Sequence, residues 1–507
     1  MQELVRDPAP YLSRRRIAAI LAFFALSLAV YLVRIASVWR YGALFCSSGV
    51  EFPMIDSVGR AMHHQAVYTS PFHFPFALSL YNYLFYFVYG AVLRLIGAWD
   101  AGIMTWGRQL TLLFALAGAW AQWRLVRGHL RLRGVASALS LCLALGLWLC
   151  TSLIKYWALT VRPDMAAAAL VMIAVWVVVR QPRFAYAYAG ILLYLAWAFK
   201  QSVIFTVIAL CLFLLVKKRW IDLATLSAIF AITVTCTLLM GTPEYRFSIL
   251  VAPQMVKGFA FGLPWIGHAL GTGLNAVLLN IFWVAAPLVV VRSAGGARNV
   301  DPKLRPLLVI FALALIAGVI SMGKVGGTSN YLFEAFIAGS TLLQVIVFTL
   351  PGRLVTALLV IGCIQPALQL TGVAIGYHVT GKRDMVPIAT AKEFRAAEAL
   401  RDRLATMKKP IFSTDGAFAL PWFSTENGAP ALTIDPNFQE VARVREENGG
   451  IEGMLQRGEI PTLLLASTDQ IYLKNLNPSY VKVGESIQQG VTYSIYSFNG
   501  GDHAPNQ

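Results

Sequence analysis

Two carboxylates flank long apolar segments in this chain, Asp56 and Asp164, and only ten of its 25 acidic residues lie in the first 379 positions. An acid held beside hydrocarbon is costly unless it is paired or used. A carboxylate at such an edge can take a proton from an attacking hydroxyl or amine, and a cation beside it can meet the charge of a phosphate. Cations of that kind are present: Lys155, Arg162, Lys200, Arg246, Lys257 and Lys324 all fall in loops between apolar runs. Lys200 is the sharpest case, because Phe199-Lys200-Gln201-Ser202 interrupts an otherwise continuous apolar stretch. The simplest arrangement is a tight hairpin with the lysine at its outer tip.

Simpler explanations stand beside these. Asp56 can cap the first turn of a short helix whose Ile55, Val58 and Met62 share one face. Arg162-Pro163-Asp164 has the form of a helix start with proline near the first turn. Asn330-Tyr331 with Glu334 follows two glycines, Gly326 and Gly327, and also fits a helix cap. His63, His64 and His73 match no strong metal-ligand spacing, since adjacent histidines diverge on a helix. None of the six cysteines sits in a CxxC pair, and five (Cys142, Cys150, Cys211, Cys236 and Cys363) lie in apolar runs, leaving only Cys46 in an outer loop. No disulfide framework is implied.

The elements that must position these residues are membrane helices. The chain has 507 residues, 57% hydrophobic and only 13% charged, which no ordinary soluble core accommodates. Twelve apolar runs approach the roughly 20 residues needed to cross a bilayer. They cover 17–38, 79–97, 104–123, 134–153, 165–180, 184–199, 201–216, 221–241, 273–292, 305–322, 330–350 and 353–375. Basic clusters at Arg14–Arg16, Arg124–Arg133, Arg180/Arg183, Lys217–Arg219 and Arg292–Arg305 read as topology signals rather than a nucleic-acid face. They place the N-terminus in the cytoplasm. The loop 40–77, the loops around 154–164, 200, 242–272 and 323–330, and the tail then lie outside. One segment between 79 and 123 must fail to cross if the Arg124 cluster is to stay inside. The fold class expected is an all-α polytopic membrane domain of about 11–13 transmembrane helices over 1–379, with a small extracytoplasmic α/β domain over 380–507. In that tail a helix at 388–407 precedes strand-like runs at 411–413, 431–434, 462–466, 481–483 and 492–498, and Asp435-Pro436 reads as a helix start.

The order of the outer motifs resembles the GT-C superfamily of membrane glycosyltransferases that use polyprenyl-phosphate sugars, in the branch of protein mannosyltransferases and aminoarabinose transferases. The resemblance rests on Asp56 in the first outer loop, the stretch Ala61 to Tyr68, Arg162-Pro163-Asp164, Phe199-Lys200-Gln201, and Asn330-Tyr331 with Glu334. Two departures accompany it: Ser57 stands where many relatives carry a second acid, and Leu80-Tyr81-Asn82 replaces the usual Pro-Pro-Leu. The resemblance implies that Asp56 is the base and Asp164 a second site acid. It places Arg162, Lys200 and Lys155 against the donor phosphate. Arg60, His63, Gln201, Asn330, Tyr331 and Glu334 are the expected substrate-binding residues. The reaction implied is inverting and nucleotide-free, with a polyprenyl-phosphate-linked sugar as donor, a lipid, glycan or protein as acceptor, and membrane lipids around the site. A divalent cation is left open. No nucleic acid is expected, and the setting is the bacterial inner (plasma) membrane. A lipid-linked polysaccharide polymerase or flippase, or a non-catalytic membrane scaffold, is the alternative of another class.

Overall fold

A computed structural model describes residues 12–41, 51–70, 78–99, 101–151, 153–154, 157–255, 262–323, 329–375, 391–408, 411–413, 450–467, 473–474, 476–488 and 491–499. The membrane region opens with α1 (Arg14–Tyr41), α2 (Glu51–Met62), α3 (Tyr83–Leu95), α4 (Ala101–Leu130) and α5 (Gly134–Cys150). It continues with α6 (Asp164–Arg180), α7 (Ala185–Phe199), α8 (Phe205–Val216) and α9 (Trp220–Met240). Short helices α10 (Pro243–Arg246) and α11 (Ala252–Met255), joined by a π-helical stretch, lead to α12 (Leu263–Leu279), α13 (Ile281–Val284) and α14 (Ala286–Ser293). The set closes with α15 (Arg305–Ser321), α16 (Phe333–Thr349) and α17 (Arg353–Ile375).

Helix α16 is the axis of this bundle. It is apolar on every side, as a helix surrounded by other helices must be, and every residue from Phe333 to Phe348 is buried. Thr341 Oγ1 donates to the Ile337 carbonyl at 2.7 Å and Gln344 Nε2 to that of Ser140 at 2.8 Å. Buried Arg16 donates to the carbonyls of Val347 at 2.9 Å and Leu350 at 2.8 Å, satisfying acceptors that the C-terminal turn of α16 leaves open. The arginine read as a topology signal is therefore also a helix cap. Helix α9 is the opposite case: equally apolar, it buries only Leu226, and Ile232, Leu239 and Met240 stand 60–87% exposed. An apolar exterior of this kind is suited to lipid and not to water.

Among the described residues, four helices are long and apolar enough to cross a membrane, a bent pair makes a fifth, and five more are apolar but only 10–17 residues long. The apolar runs are longer than the helices because turns in them are apolar too. The run at 79–97 holds a helix of 13 residues, about 20 Å at 1.5 Å per residue and short of a crossing. The run at 104–123 extends instead to a 30-residue helix, so Arg124 and Arg127 lie on α4 and not in a loop. The run at 273–292 is not one span: α12 starts ten residues earlier, at Leu263, and the chain bends by 84° between α12 and the Ile281–Ser293 pair. Asn280 marks the break, donating to the Ala276 carbonyl at 2.8 Å and accepting from Trp283 Nε1 at 2.9 Å.

The tail carries α18 (Ala391–Ala405), β1 (Ile411–Ser413), α19 (Gly450–Arg457), β2 (Thr462–Ala466), β3 (Tyr480–Gln488) and β4 (Val491–Phe498). The expected strand at 431–434 and the helix start at Asp435 lie outside the described residues. The sheet order is β1-β2-β4-β3, with β1 and β2 parallel and the other pairs antiparallel. Alternation along β2 sends Leu463 and Leu465 to one face, into an apolar cluster with Met454, Leu455 and Tyr480 that also contains Leu78 from the chain before α3. That contact seats the tail domain on the segment that carries Tyr81.

Candidate active site

Backbone 160–162 is fixed before any site side chain is considered. Glu51, fully buried in the first turn of α2, receives Arg108 Nε and Nη2 of α4, each at 3.0 Å, and the Val161 N–H at 2.7 Å. Thr111 Oγ1 donates to the Thr160 carbonyl at 2.7 Å, and Tyr89 OH to that of Arg162 at 3.4 Å. A bidentate arginine–carboxylate pair out of water holds one geometry, so α2, α4 and the turn before α6 form one unit.

From that unit Arg162 projects along the ring of Trp157, its guanidinium 4.3 Å from the ring centroid, and donates to Tyr81 OH. Burial pushes the Tyr81 phenol up, so it remains a neutral hydroxyl. Arg162 Nε reaches Asp164 Oδ2 at 3.1 Å. The other oxygen, Oδ1, accepts from Lys200 Nζ and from Asn330 Nδ2 at 2.9 Å. Asp164 is thus the hub of two cations and an amide drawn from three separate parts of the chain, and its side chain is wholly buried. Pro163 is its N-cap residue and makes no side-chain cap bond, so the helix start supplies position while the carboxylate is directed to the cations.

Lys200 does lie in the turn between α7 and α8, but it is buried and points inward rather than standing at an outer tip. Its ammonium is 5.9 Å from the Tyr331 ring centroid. Gln201 Nε2 ties the same turn to the Leu80 carbonyl at 2.6 Å. Glu334 accepts the Thr206 N–H at 2.5 Å, capping α8 from the first turn of α16. A cavity of about 20 Å³ remains between Asp164, Lys200, Ser202, Asn330, Tyr331 and Glu334, the space of about one water.

Asp56 differs in every respect. Helix α2 begins at Glu51, so Asp56 lies in its second turn and is not the cap; Glu51 occupies that end. Asp56 Oδ2 meets Arg60 Nη2 at 3.0 Å, while Oδ1 is buried with no hydrogen-bond partner among the described residues. Burial pushes its carboxyl up and Arg60 opposes that. Arg60 also reaches Thr69 Oγ1 at 3.5 Å. No hydrogen bond among the described residues joins Asp56 directly to Asp164. The link runs through α2, from Glu51 to Val161, and from Met54 Sδ through Tyr86 OH to the Tyr81 N–H.

Of the expected site residues, Asp164, Arg162, Lys200, Asn330, Tyr331 and Glu334 come together. His63 packs on the Trp99 ring at 5.3 Å, apart from that cluster. Lys155, like Lys324 and His73, lies outside the described residues. Among the described residues no group of three or more His, Cys, Asp or Glu is arranged to hold a metal, and the five described cysteines are free. Sequence reasoning missed the Glu51–Arg108 pair, Tyr81 and Trp157. A signal for the first existed: an arginine inside an apolar helix needs an acid, and few acids were available.

No protein-family model and no curated protein matches the chain by sequence. Solved structures do match it in fold. The crystal structure of ArnT from Cupriavidus metallidurans bound to undecaprenyl phosphate superposes over 96% of this chain and 99% of its own, with a TM-score of 0.55 at 12% identity. The archaeal oligosaccharyltransferase AglB from Archaeoglobus fulgidus, in complex with an inhibitory peptide and a dolichol-phosphate, matches over 97% of this chain and 75% of its own, with a TM-score of 0.50 at 11% identity. The chain has the fold of the GT-C membrane glycosyltransferases, to which the order of its loop motifs is similar.

Proposed function

We propose that this protein is a multi-pass membrane glycosyltransferase that moves a sugar from a polyprenyl-phosphate donor to a hydroxyl or amine of an acceptor, with inversion. The observation that carries the reading is the buried Arg162–Asp164–Lys200 cluster: one carboxylate fixes two cations at the end of an apolar helix. Its fold-mates were solved with undecaprenyl phosphate and with a dolichol-phosphate bound, the chemistry such a cation pair would meet.

In the reaction, Asp56 Oδ1 takes the proton of the acceptor O–H or N–H as that atom attacks the anomeric carbon. The bond from that carbon to the phosphate oxygen breaks, and its electron pair leaves with the polyprenyl phosphate. Arg162 and Lys200 meet the charge that develops there without reorganising, because Asp164, Trp157 and Asn330 already hold them or their partners in place. A single displacement inverts the sugar. The tail domain, seated beside Leu78, serves as a cover over the site. The setting proposed is a bacterial inner membrane with the N-terminus in the cytoplasm and the site and tail outside.

The test uses purified protein in lipid nanodiscs with synthetic undecaprenyl-phosphoryl pentoses and hexoses, reading release of undecaprenyl phosphate by mass spectrometry. Acceptor-dependent release by wild type is expected. Lys200→Ala should raise the KM for donor more than that for acceptor; equal effects on both would count against a phosphate role. No release from any donor of the panel, in protein that binds undecaprenyl phosphate, would turn the reading toward a carrier.

A further inference from the structure

We propose a second anion site, at the end of the helix bundle opposite Asp164, that takes a net-anionic phosphate headgroup of a lipid. Helix α6 runs from Asp164 to Arg180, 16 residues later, which separates the two ends by about 24 Å at 1.5 Å per residue. At the far end a cavity of about 470 Å³ is lined by Arg124, Arg127, Arg131, Arg133, Arg180 and Lys303, a volume within the range of about 300–1,000 Å³ usual for ligand pockets. Three connections converge to make it: α4 to α5, α6 to α7, and α14 to α15.

A topology signal explains positive charge on this side and nothing more. It does not explain the arrangement. No hydrogen bond or ion pair joins any of the six cations' side chains to a carboxylate among the described residues. Asp301, two residues before Lys303, is engaged by His129 Nε2 at 3.5 Å and by the Lys303 backbone N–H at 2.9 Å. Two of the guanidiniums are placed by aromatic rings instead. Arg124 lies 5.6 Å from the Trp120 ring and 6.0 Å from that of Trp176, and Arg127 lies 5.1 Å from that of Trp123. A ring engages the face of a guanidinium and leaves its in-plane N–H fork for a phosphate.

Arg131 adds an independent mark. It follows the last residue of α4 with φ +57°, the left-handed position where glycine or asparagine ordinarily ends a helix. That position costs an arginine backbone strain that a glycine would not incur. The lipid source is favoured over a soluble phosphate because Trp120, which carries Arg124, stands 44% exposed on the apolar exterior of the bundle. Basic pockets between membrane helices are suited to anionic headgroups.

The full chain, stripped of lipid in neutral detergent, is titrated in native mass spectrometry with dioleoyl-phosphatidylglycerol and with dioleoyl-phosphatidylcholine, and in thermal unfolding with inorganic phosphate. Wild type should hold the phosphatidylglycerol at least tenfold more tightly than the phosphatidylcholine. The double variant Arg131→Gly/Arg180→Gln should lose at least tenfold of that affinity. Arg131→Gly relieves the backbone, so the single variant should melt at or above the wild-type temperature while binding less, which separates binding from folding. Stabilisation by millimolar inorganic phosphate that is lost in the double variant, without preference between the two lipids, would keep the anion site and assign it to a soluble phosphate. Equal binding of both probes by wild type and variant, or loss of binding only in step with loss of folding, would overturn the proposal.

Discussion

Asp164→Asn is the substitution that most directly separates holding the site from running it. Asparagine keeps the size of the side chain and removes its charge. Arg162 and Lys200, whose side chains are only 6% and 8% exposed, are then left as neighbouring buried cations. Removing one member of a buried ion pair costs about 3–5 kcal/mol, because the partner stays desolvated and uncompensated. Here two partners lose the same counter-charge, which places the cost at the upper end, limited by the ability of Lys200 to shed its proton. The check is unfolding of purified protein in detergent, followed by tryptophan fluorescence, for Asp164→Asn, Lys200→Met and the pair. The double variant removes one surplus cation together with the acid, so it should be more stable than the sum of the single effects by about 1–3 kcal/mol. An Asp164→Asn protein as stable as wild type, or strict additivity in the double variant, would refute the view that this carboxylate exists to hold the two cations.

Asp56→Asn should lose about 10²–10⁴-fold in turnover, and beyond what it loses by leaving buried Arg60 without its partner, it should compare less well with wild type in stability at low pH than at neutral pH. The sign follows from burial raising the Asp56 carboxyl in the fold: the folded state favours the protonated form, an advantage present below the unfolded value of about 3.9 and lost as pH rises through the folded value. The acid limb of kcat/KM should accordingly lie above the ordinary carboxylate range, and Arg60→Met, which removes the opposing charge, should move it to still higher pH in a profile of donor consumption. Glu51→Gln should cost about 3–5 kcal/mol by stranding Arg108, and it should weaken donor binding through the Val161 N–H that Glu51 holds; unchanged donor KM in folded protein would break the link from Val161 to Arg162. Gly118→Ala places a Cβ 2.2 Å from the Trp148 ring, so stability should fall by about 1–3 kcal/mol or more, read by the same unfolding assay with the site kinetics intact in the folded fraction.

The acids and cations in the turns between apolar runs were legible because charge is expensive in so apolar a chain. Arg162, Asp164, Lys200 and Asn330 each interrupt or border an apolar run, and the fold collects all four at one point. What the sequence could not disclose was direction. Lys200 was expected at an exposed tip, yet an inward lysine needs only the Asp164 carboxylate, 36 positions away in the chain, and no local pattern reports that pairing. Glu334 was expected at substrate, whereas its carboxylate satisfies an N–H of α8. Helix bounds failed where apolar turns are indistinguishable from apolar helix, as at 201–204 and around Asn280. The tail strands at 411–413 and 462–466 followed from β-branched and apolar runs between turn residues; their order, with β1 joining β2 in parallel, depends on long-range closure that such runs do not encode.

Two carboxylates serve the proposed transferase in different roles only if they are kept chemically unlike. A proton acceptor needs an oxygen with an open lone pair and an environment that makes the anion less comfortable than it is in water. Asp56 meets both conditions, with Oδ1 unpartnered among the described residues and burial outweighing Arg60. Asp164 meets neither, since both of its oxygens accept from cations and the Asn330 amide shares one of them. An acid so held is a poor base and a good anchor: it favours the charged forms of Arg162 and Lys200 against burial and holds them in place, and an incoming phosphate would have two cations already desolvated and already aligned. The same reasoning gives Glu51 its part, bonded to Arg108 and to the Val161 N–H next to Arg162. Arg162 can hold one orientation only if its own backbone does, and Glu51 with Arg108 is what fixes that backbone from the far side.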